Sequence, residues 1–153
     1  MLKIAVPNKG ALSDGAVKLL TESGFRCQRS GRELVVTDHV NDMEFLFLRP
    51  RDVAVYVGNG IIDLGITGRD LAADSGAKVS ELMPLCFGRS RFCFAAPKGK
   101  YKSVKELDGL RIATSYPSLL KSELAKMKET QSQFATEREQ FVASMKAKEP
   151  SRN

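Results

Sequence analysis

The amino-acid sequence predicts an α/β fold built on a mostly parallel sheet. Three observations carry that expectation. The 153 residues are 42% hydrophobic and 27% charged, the balance of a chain with a core to bury, not of a disordered or fibrous one. Short apolar runs bounded by turn residues alternate with stretches whose apolar residues recur at helical spacing. Parallel strands need crossover connections and helices are the usual ones, so this alternation implies parallel pairing.

Residues 2–6 form an apolar run that ends at Pro7-Asn8-Lys9-Gly10, residues that stop a strand and favour a turn. A helix should follow, with Ser13 as its N-cap, Asp14 in its first turn, Ala16, Leu19 and Leu20 on one face and Gly24 just past its end. Residues 25–28 and 34–37 flank the turn-rich Arg29-Ser30-Gly31-Arg32 and read as extended, and residues 43–49 make a stronger strand. Pro50 suits a helix's first turn, so residues 52–57 are expected as a short helix closed by Gly58 and Gly60. Residues 61–66 are strand-like again, and Thr67-Gly68-Arg69-Asp70 turns the chain into a helix ending at Gly76. Residues 85–96 read as a longer extended stretch ending at Pro97, able to carry the chain from one lobe to another. Residues 110–114 read as a short strand, followed by a turn at Ser115-Tyr116-Pro117 and a helix through Met127. Residues 128–153 are more polar and lack glycine; Phe134, Phe141, Val142 and Met145 share one helical face, so a solvated amphipathic helix is expected, frayed from Pro150 on.

Composition excludes several function classes. The net charge of +6 is spread along the chain, giving a mild positive field suited to phosphate-bearing metabolites without the clustered basic face of a nucleic-acid binder. The longest apolar runs are far too short to cross a bilayer, and the tail's opposite face mixes Glu with Lys, unlike a cationic membrane-surface helix. Cys27, Cys86 and Cys93 leave one thiol unpaired in any scheme, no CxxC occurs, and Cys86 and Cys93 would face opposite sides of one strand; reduced thiols and a cytoplasmic location are expected. His39 is the single histidine, so a multi-histidine zinc site is excluded and a Ser-His-Asp or Cys-His site would depend on that residue alone.

Four loops follow expected strands: Pro7-Asn8-Lys9-Gly10, Arg49-Pro50-Arg51, Thr67-Gly68-Arg69-Asp70 and Ser115-Tyr116-Pro117. In open parallel sheets ligands gather beyond the carboxyl ends of the strands, so these loops can converge. Helix N-termini there would offer free N–H donors, and Lys9, Arg49 and Arg51 would add full charges, which favours an anionic ligand. Each residue also has a plain structural reading: Lys9 as a solvated turn lysine, Arg49 and Arg51 as a surface pair, Asp70 as a first-turn acid, Tyr116 as a turn residue before proline instead of a platform for a flat base. Gly65 and Gly68 are only a fragment of a phosphate loop, since neither GxxxxGK[ST] nor GxGxxG is present.

Four blocks in order, Leu2-Lys3-Ile4-Ala5-Val6-Pro7-Asn8-Lys9-Gly10-Ala11-Leu12, Phe47-Leu48-Arg49-Pro50-Arg51-Asp52-Val53, Asp63-Leu64-Gly65-Ile66-Thr67-Gly68-Arg69-Asp70-Leu71 and Gly109-Leu110-Arg111-Ile112-Ala113-Thr114-Ser115-Tyr116-Pro117, closely resemble the ATP phosphoribosyltransferases of histidine biosynthesis. The likeness covers about residues 1–127 and looks like the long-chain form, although many members have Arg where Ala11 stands and Glu where Arg69 stands. The resemblance implies a lobe similar to the type II periplasmic binding proteins plus the start of a second α/β lobe. It also implies a Mg-dependent transfer of the phosphoribosyl group of phosphoribosyl pyrophosphate to N1 of the ATP adenine, with release of pyrophosphate. Lys9, Arg49, Arg51, Gly68, Asp70, Tyr116 and, more weakly, Ser90 are the substrate contacts it implies, with Tyr116 and Asp70 toward base and ribose and the cations toward phosphates.

On this basis residues 1–90 are expected as an incomplete first lobe, 91–127 as the crossover and the start of a second, and 128–153 as an atypical tail. Beyond Met127 the family's phosphate-binding Ser/Thr-Gly loop and the long form's regulatory domain are missing, so a truncated or frameshifted chain, inactive alone and marginally stable, is expected. Homo-oligomers are usual in the family. A non-enzymatic ligand- or nucleotide-binding module on the same scaffold is the rival reading, and an interaction protein using its C-terminal helix is a third.

Overall fold

The computed structural model describes residues 1–147. Their order is β1 (Leu2–Pro7), α1 (Gly10–Glu22), β2 (Val35–Asp38), β3 (Met43–Leu48), α2 (Pro50–Gly58), β4 (Leu64–Gly65), α3 (Arg69–Ser75), a single 3-10 turn (Val104–Leu107) and α4 (Pro117–Ala147). The chain divides into two compact units, Met1–Ser115 and a second that begins at Tyr116.

The first unit is an α/β structure around a four-stranded sheet of order β2-β3-β1-β4. β1 pairs in parallel with β3, from Leu2 opposite Met43 to Pro7 opposite Leu48, and in parallel with β4 through Ile4 and Ala5. β2 pairs with β3 antiparallel, so the sheet is mixed. The four residues between β2 and β3 are too few for a crossover and can only make a hairpin. Asp38 organises that hairpin. Its carboxylate, 1% exposed, accepts hydrogen bonds from the backbone N–H groups of Arg26 (2.8 Å), Val40 (3.1 Å) and Asn41 (3.3 Å) and from Asn41 Nδ2 (2.7 Å).

The central strand β1 is buried at Ile4, Ala5 and Val6, and its side chains alternate between two cores. On one face Ile4, Val6, Met43, Phe45 and Phe47 pack with Ala16 and Leu20 of α1 and with Cys27. On the other, Ala5 packs with Val53 of α2 and with Ile62. Small residues under α2 let the helix approach the strands closely: a Cβ on Gly65 would lie 2.4 Å from Val53 Cγ1.

Several expectations need correction. α1 starts at Gly10, and Ser13, 5% exposed, lies inside it and cannot cap it. Asn8 N–H donates to Leu48 O at 2.7 Å as soon as β1 ends, and Gly10 at φ +75° turns the chain there, so a tertiary tether outweighs the better capping residue. Residues 25–28 form no strand, because Arg26 N–H bonds the Asp38 carboxylate instead of a neighbouring strand. Residues 61–66 shrink to the two-residue β4, since Gly60 N–H to Val57 O and Ile61 N–H to Tyr56 O still close α2. Residues 85–96 and 110–114 form no strand, and Leu82, Met83, Phe92, Phe94 and Leu110 are exposed. Apolar character alone does not make a strand; a partner edge is needed. Cys86 and Cys93 are therefore not on two faces of one strand; both are exposed free thiols, and Cys27 is a buried one.

The second unit consists chiefly of α4, which runs unbroken through Met127 instead of ending there. Phe134 and Phe141 are exposed on it. Pro150 and the expected frayed end lie outside the described residues, as do the side chains of Val142 and Met145. Among the described residues no helix is long and apolar enough to cross a membrane.

Candidate functional site

β1, β3 and β4 run in the same direction, so their carboxyl ends, at Pro7, Leu48 and Gly65, lie along one edge of the sheet. Each strand gives way within a few residues to a helix: Lys9 is the N-cap of α1, Arg49 of α2 and Gly68 of α3. None of these N-caps makes a side-chain capping hydrogen bond. Without a capping side chain the first-turn N–H groups of α1 stay open to other partners, whereas at α2 Pro50 carries no N–H and Asp52 N–H donates to Arg49 O at 2.9 Å, which leaves the N–H of Arg51.

The three loops are tied to one another. Asn8 N–H donates to Leu48 O, joining the β1–α1 turn to the end of β3. Thr67 Oγ1 donates to Pro50 O at 2.7 Å, and Ile66 N–H to Ala5 O at 2.9 Å, fastening the β4–α3 loop to α2 and β1. Lys9 and Arg49 are exposed, and neither makes an ion pair among the described residues.

Arg51 is placed differently. β3 stops at Leu48, so Arg51 sits in the first turn of α2, where Nη1 lies 3.0 Å from Oδ2 of Asp74, whose side chain is 4% exposed. Its Nη2 donates to the carbonyl of Ser115. The positive charge of Arg51 is thus balanced by Asp74, and its guanidinium fastens α2 to α3 and to residue 115.

Gly68 and Asp70 form a compact pair at the start of α3: a Cβ on Gly68 would lie 2.2 Å from Asp70 Oδ1, so the carboxylate folds back over the glycine. A carboxylate there is favoured by the partial positive charge of the helix start. The neighbouring Arg69 makes a bidentate pair with Glu81, through Nε to Oε2 at 2.8 Å and Nη2 to Oε1. That pairing raises the Arg69 pKa and lowers that of Glu81. Ser90 is exposed; two residues earlier Gly88, at φ +66°, lies against Leu12 of α1, and Phe87 covers Gly15. Tyr116 is half-buried and opens the second unit, whereas the edge belongs to the first.

Three residues at or near this edge were not singled out by sequence reasoning. Asn8 holds a buried Oδ1 with no hydrogen-bond partner among the described residues. Arg29 lies over the Phe47 ring and bonds the carbonyl of Asn8. Asp74 neutralises Arg51. Asn8 stands in a loop that spacing did mark, but nothing local distinguishes Arg29 from its neighbours or links Asp74 to a residue 23 positions earlier.

Comparison with known proteins adds the family. The profile for ATP phosphoribosyltransferase matches residues 49–138. An ATP phosphoribosyltransferase of Rhodococcus erythropolis is 59% identical over 124 residues, 81% of this chain and 44% of the relative. That of Mycobacterium tuberculosis is 54% identical over 125 residues, again covering 44% of the relative, so the chain spans under half the length of these curated relatives. Among solved structures, the ATP phosphoribosyl transferase (HisG:HisZ) complex from Thermotoga maritima matches with a TM-score of 0.60 and 23% identity, covering 84% of this chain and 60% of that one. It shares the α/β fold. With the profile match extending over more than half of its residues, the chain belongs to the ATP phosphoribosyltransferase family.

Proposed function

We propose that the chain carries the nucleotide-gripping part of an ATP phosphoribosyltransferase, with the carboxyl edge of β1, β3 and β4 as the site for substrate phosphates. The observation behind this reading is three helix starts without capping side chains along one edge, two of them bearing Lys9 and Arg49, cations that make no ion pair among the described residues. Polyanions are held well by such an arrangement, because free N–H groups, helix dipoles and full charges act together.

In the proposed reaction a bond forms between N1 of the ATP adenine and the anomeric carbon of phosphoribosyl pyrophosphate, while the bond from that carbon to the pyrophosphate oxygen breaks. No enzyme nucleophile is needed; the protein's work is to align two polyanions and stabilise the leaving charge. Lys9 and Arg49 are assigned to phosphates, Gly68 to close backbone approach, Asp70 to the ribose and Ser90 to a supporting contact. The resemblance gives Tyr116 to the base, and Arg51 is assigned through its bond to Ser115 to holding the edge. The division at residue 90 and the periplasmic-binding-protein-like lobe belong to the same proposal, as do a cytoplasmic location and homo-oligomeric assembly.

Magnesium fits this reading as a substrate-borne ion. Among the described residues no three His, Cys, Asp or Glu side chains gather into a ligand cluster. Mg²⁺, however, is commonly held by one or two carboxylates together with substrate phosphates. Asp70 and Asp52, the acidic residues in the first turns of α3 and α2, are carboxylates that could share such an ion with substrate phosphates, and a bound ion would offset pyrophosphate charge.

Calorimetric titration with ATP tests the proposal. ATP affinity at least about tenfold lower in Arg49→Ala is the expected outcome, the size of one lost charge-assisted contact. Pyrophosphate release from ATP and phosphoribosyl pyrophosphate by the chain alone would overturn the expectation that it is inactive alone, and preference for amino acids over adenylates overturns the reading.

A further inference from the structure

We infer that Arg29 is a further positioning residue of the carboxyl edge: it clamps the turn that carries Lys9 and adds a fixed positive charge beside it. The inference rests on the reading of that edge as a polyphosphate site.

The guanidinium carbon lies 4.3 Å from the centroid of the Phe47 ring, and Phe47 is 1% exposed, so the side chain rests on an immobile platform. From there Nη2 donates to Asn8 O at 3.1 Å. Asn8 is thereby held on both sides, since its own N–H donates to Leu48 O at 2.7 Å. The next residue is Lys9, the N-cap of α1, and the one after is Gly10 at φ +75°. Rotation of the Asn8 peptide would swing both Lys9 and the helix start, and the two bonds resist it.

Charge gives Arg29 a second role. It is half-buried and makes no ion pair among the described residues. Asp14 and Glu22 of α1 line the same open groove, but neither reaches ion-pair distance, and Glu22 faces Lys18 at 3.9 Å. A partly desolvated cation without a carboxylate gives up hydration that a nearby anion would repay. Arg51, by contrast, carries its own counter-charge in Asp74.

Two variants separate clamping and charge from simple packing. Arg29→Met keeps an unbranched chain over Phe47 but removes the donor and the charge; Arg29→Lys keeps a charge and a donor. Calorimetric titration with ATP and with adenosine, at low and high salt, gives the readout. Arg29→Met is expected to weaken ATP binding at least about tenfold, to flatten its salt dependence and to leave adenosine affinity within about twofold, with Arg29→Lys recovering most of the loss. Equal ATP affinity in wild type and Arg29→Met overturns the inference alone, provided Lys9→Ala still weakens binding. Equal losses for ATP and adenosine also overturn it, since they mark a merely structural role. No ATP heat from the wild-type chain fells the edge reading and this inference together. Should Arg29→Met not fold, Arg29→Lys decides: ATP binding weakened about threefold with adenosine unchanged supports the inference, and unchanged ATP binding overturns it.

Discussion

Lys9 and Arg49 stand where a strand has just ended and a helix begins, and that position is what gives two otherwise ordinary cations a shared direction. It was legible in the sequence because strand ends and turn residues are local signals. The partner of Arg51 was not: Asp74 lies on another helix, and only the packing of α2 against α3 brings the two within 3.0 Å. Asp38 is a similar case, its four hydrogen bonds arising from the hairpin and from residue 26. The Arg26 N–H, followed by the Asn41 side chain, holds the Asp38 carboxyl below its ordinary range, while burial opposes the shift. A carboxyl with a lowered folded pKa contributes stability that is complete above its unfolded value, near 3.9, and is lost as pH falls through the folded value. Asp38→Asn is therefore expected to be less stable than wild type at neutral pH and to lose less on acidification below about pH 4. Denaturant unfolding at a series of pH values checks this, and parallel pH curves would contradict it.

At the scale of elements, the stops of α1, α2 and α3 were easier to read than the start of α1, the end of α4 or the strands. Gly24 and Gly60 adopt positive φ, and the N–H groups of each and of the residue after it bond back to the closing turn, as backbone geometry demands of almost any helix stop. The start of α1 and the extent of β4 depend on contacts with other strands, so local preference misplaced them. Residues 85–96 carry strand-like composition but have no adjoining strand among the described residues, which explains why apolar side chains such as Phe92 and Phe94 are exposed. Close packing of α2 on the sheet rests on Gly65. Gly65→Val would drive side-chain atoms into Val53 and Val57, and a loss of about 1–3 kcal/mol in unfolding free energy is expected. Thermal unfolding measures it; a variant as stable as wild type would show that α2 can lift without cost.

For the whole molecule, the parallel direction of three strands turns separate loops into one cationic edge. The family was legible because four blocks carry its pattern, and the mixed sheet was not, because the β2–β3 hairpin is set by tertiary bonds around Asp38. The central claim is that this edge grips nucleotide phosphates. Calorimetric titration of the chain with ATP, ADP and adenosine at two salt concentrations tests it most directly. Affinity should fall with each phosphate removed, salt should weaken ATP most, and Lys9→Ala should narrow the gap between ATP and adenosine by about tenfold. Adenosine binding as tightly as ATP, with no effect of salt, would contradict the account.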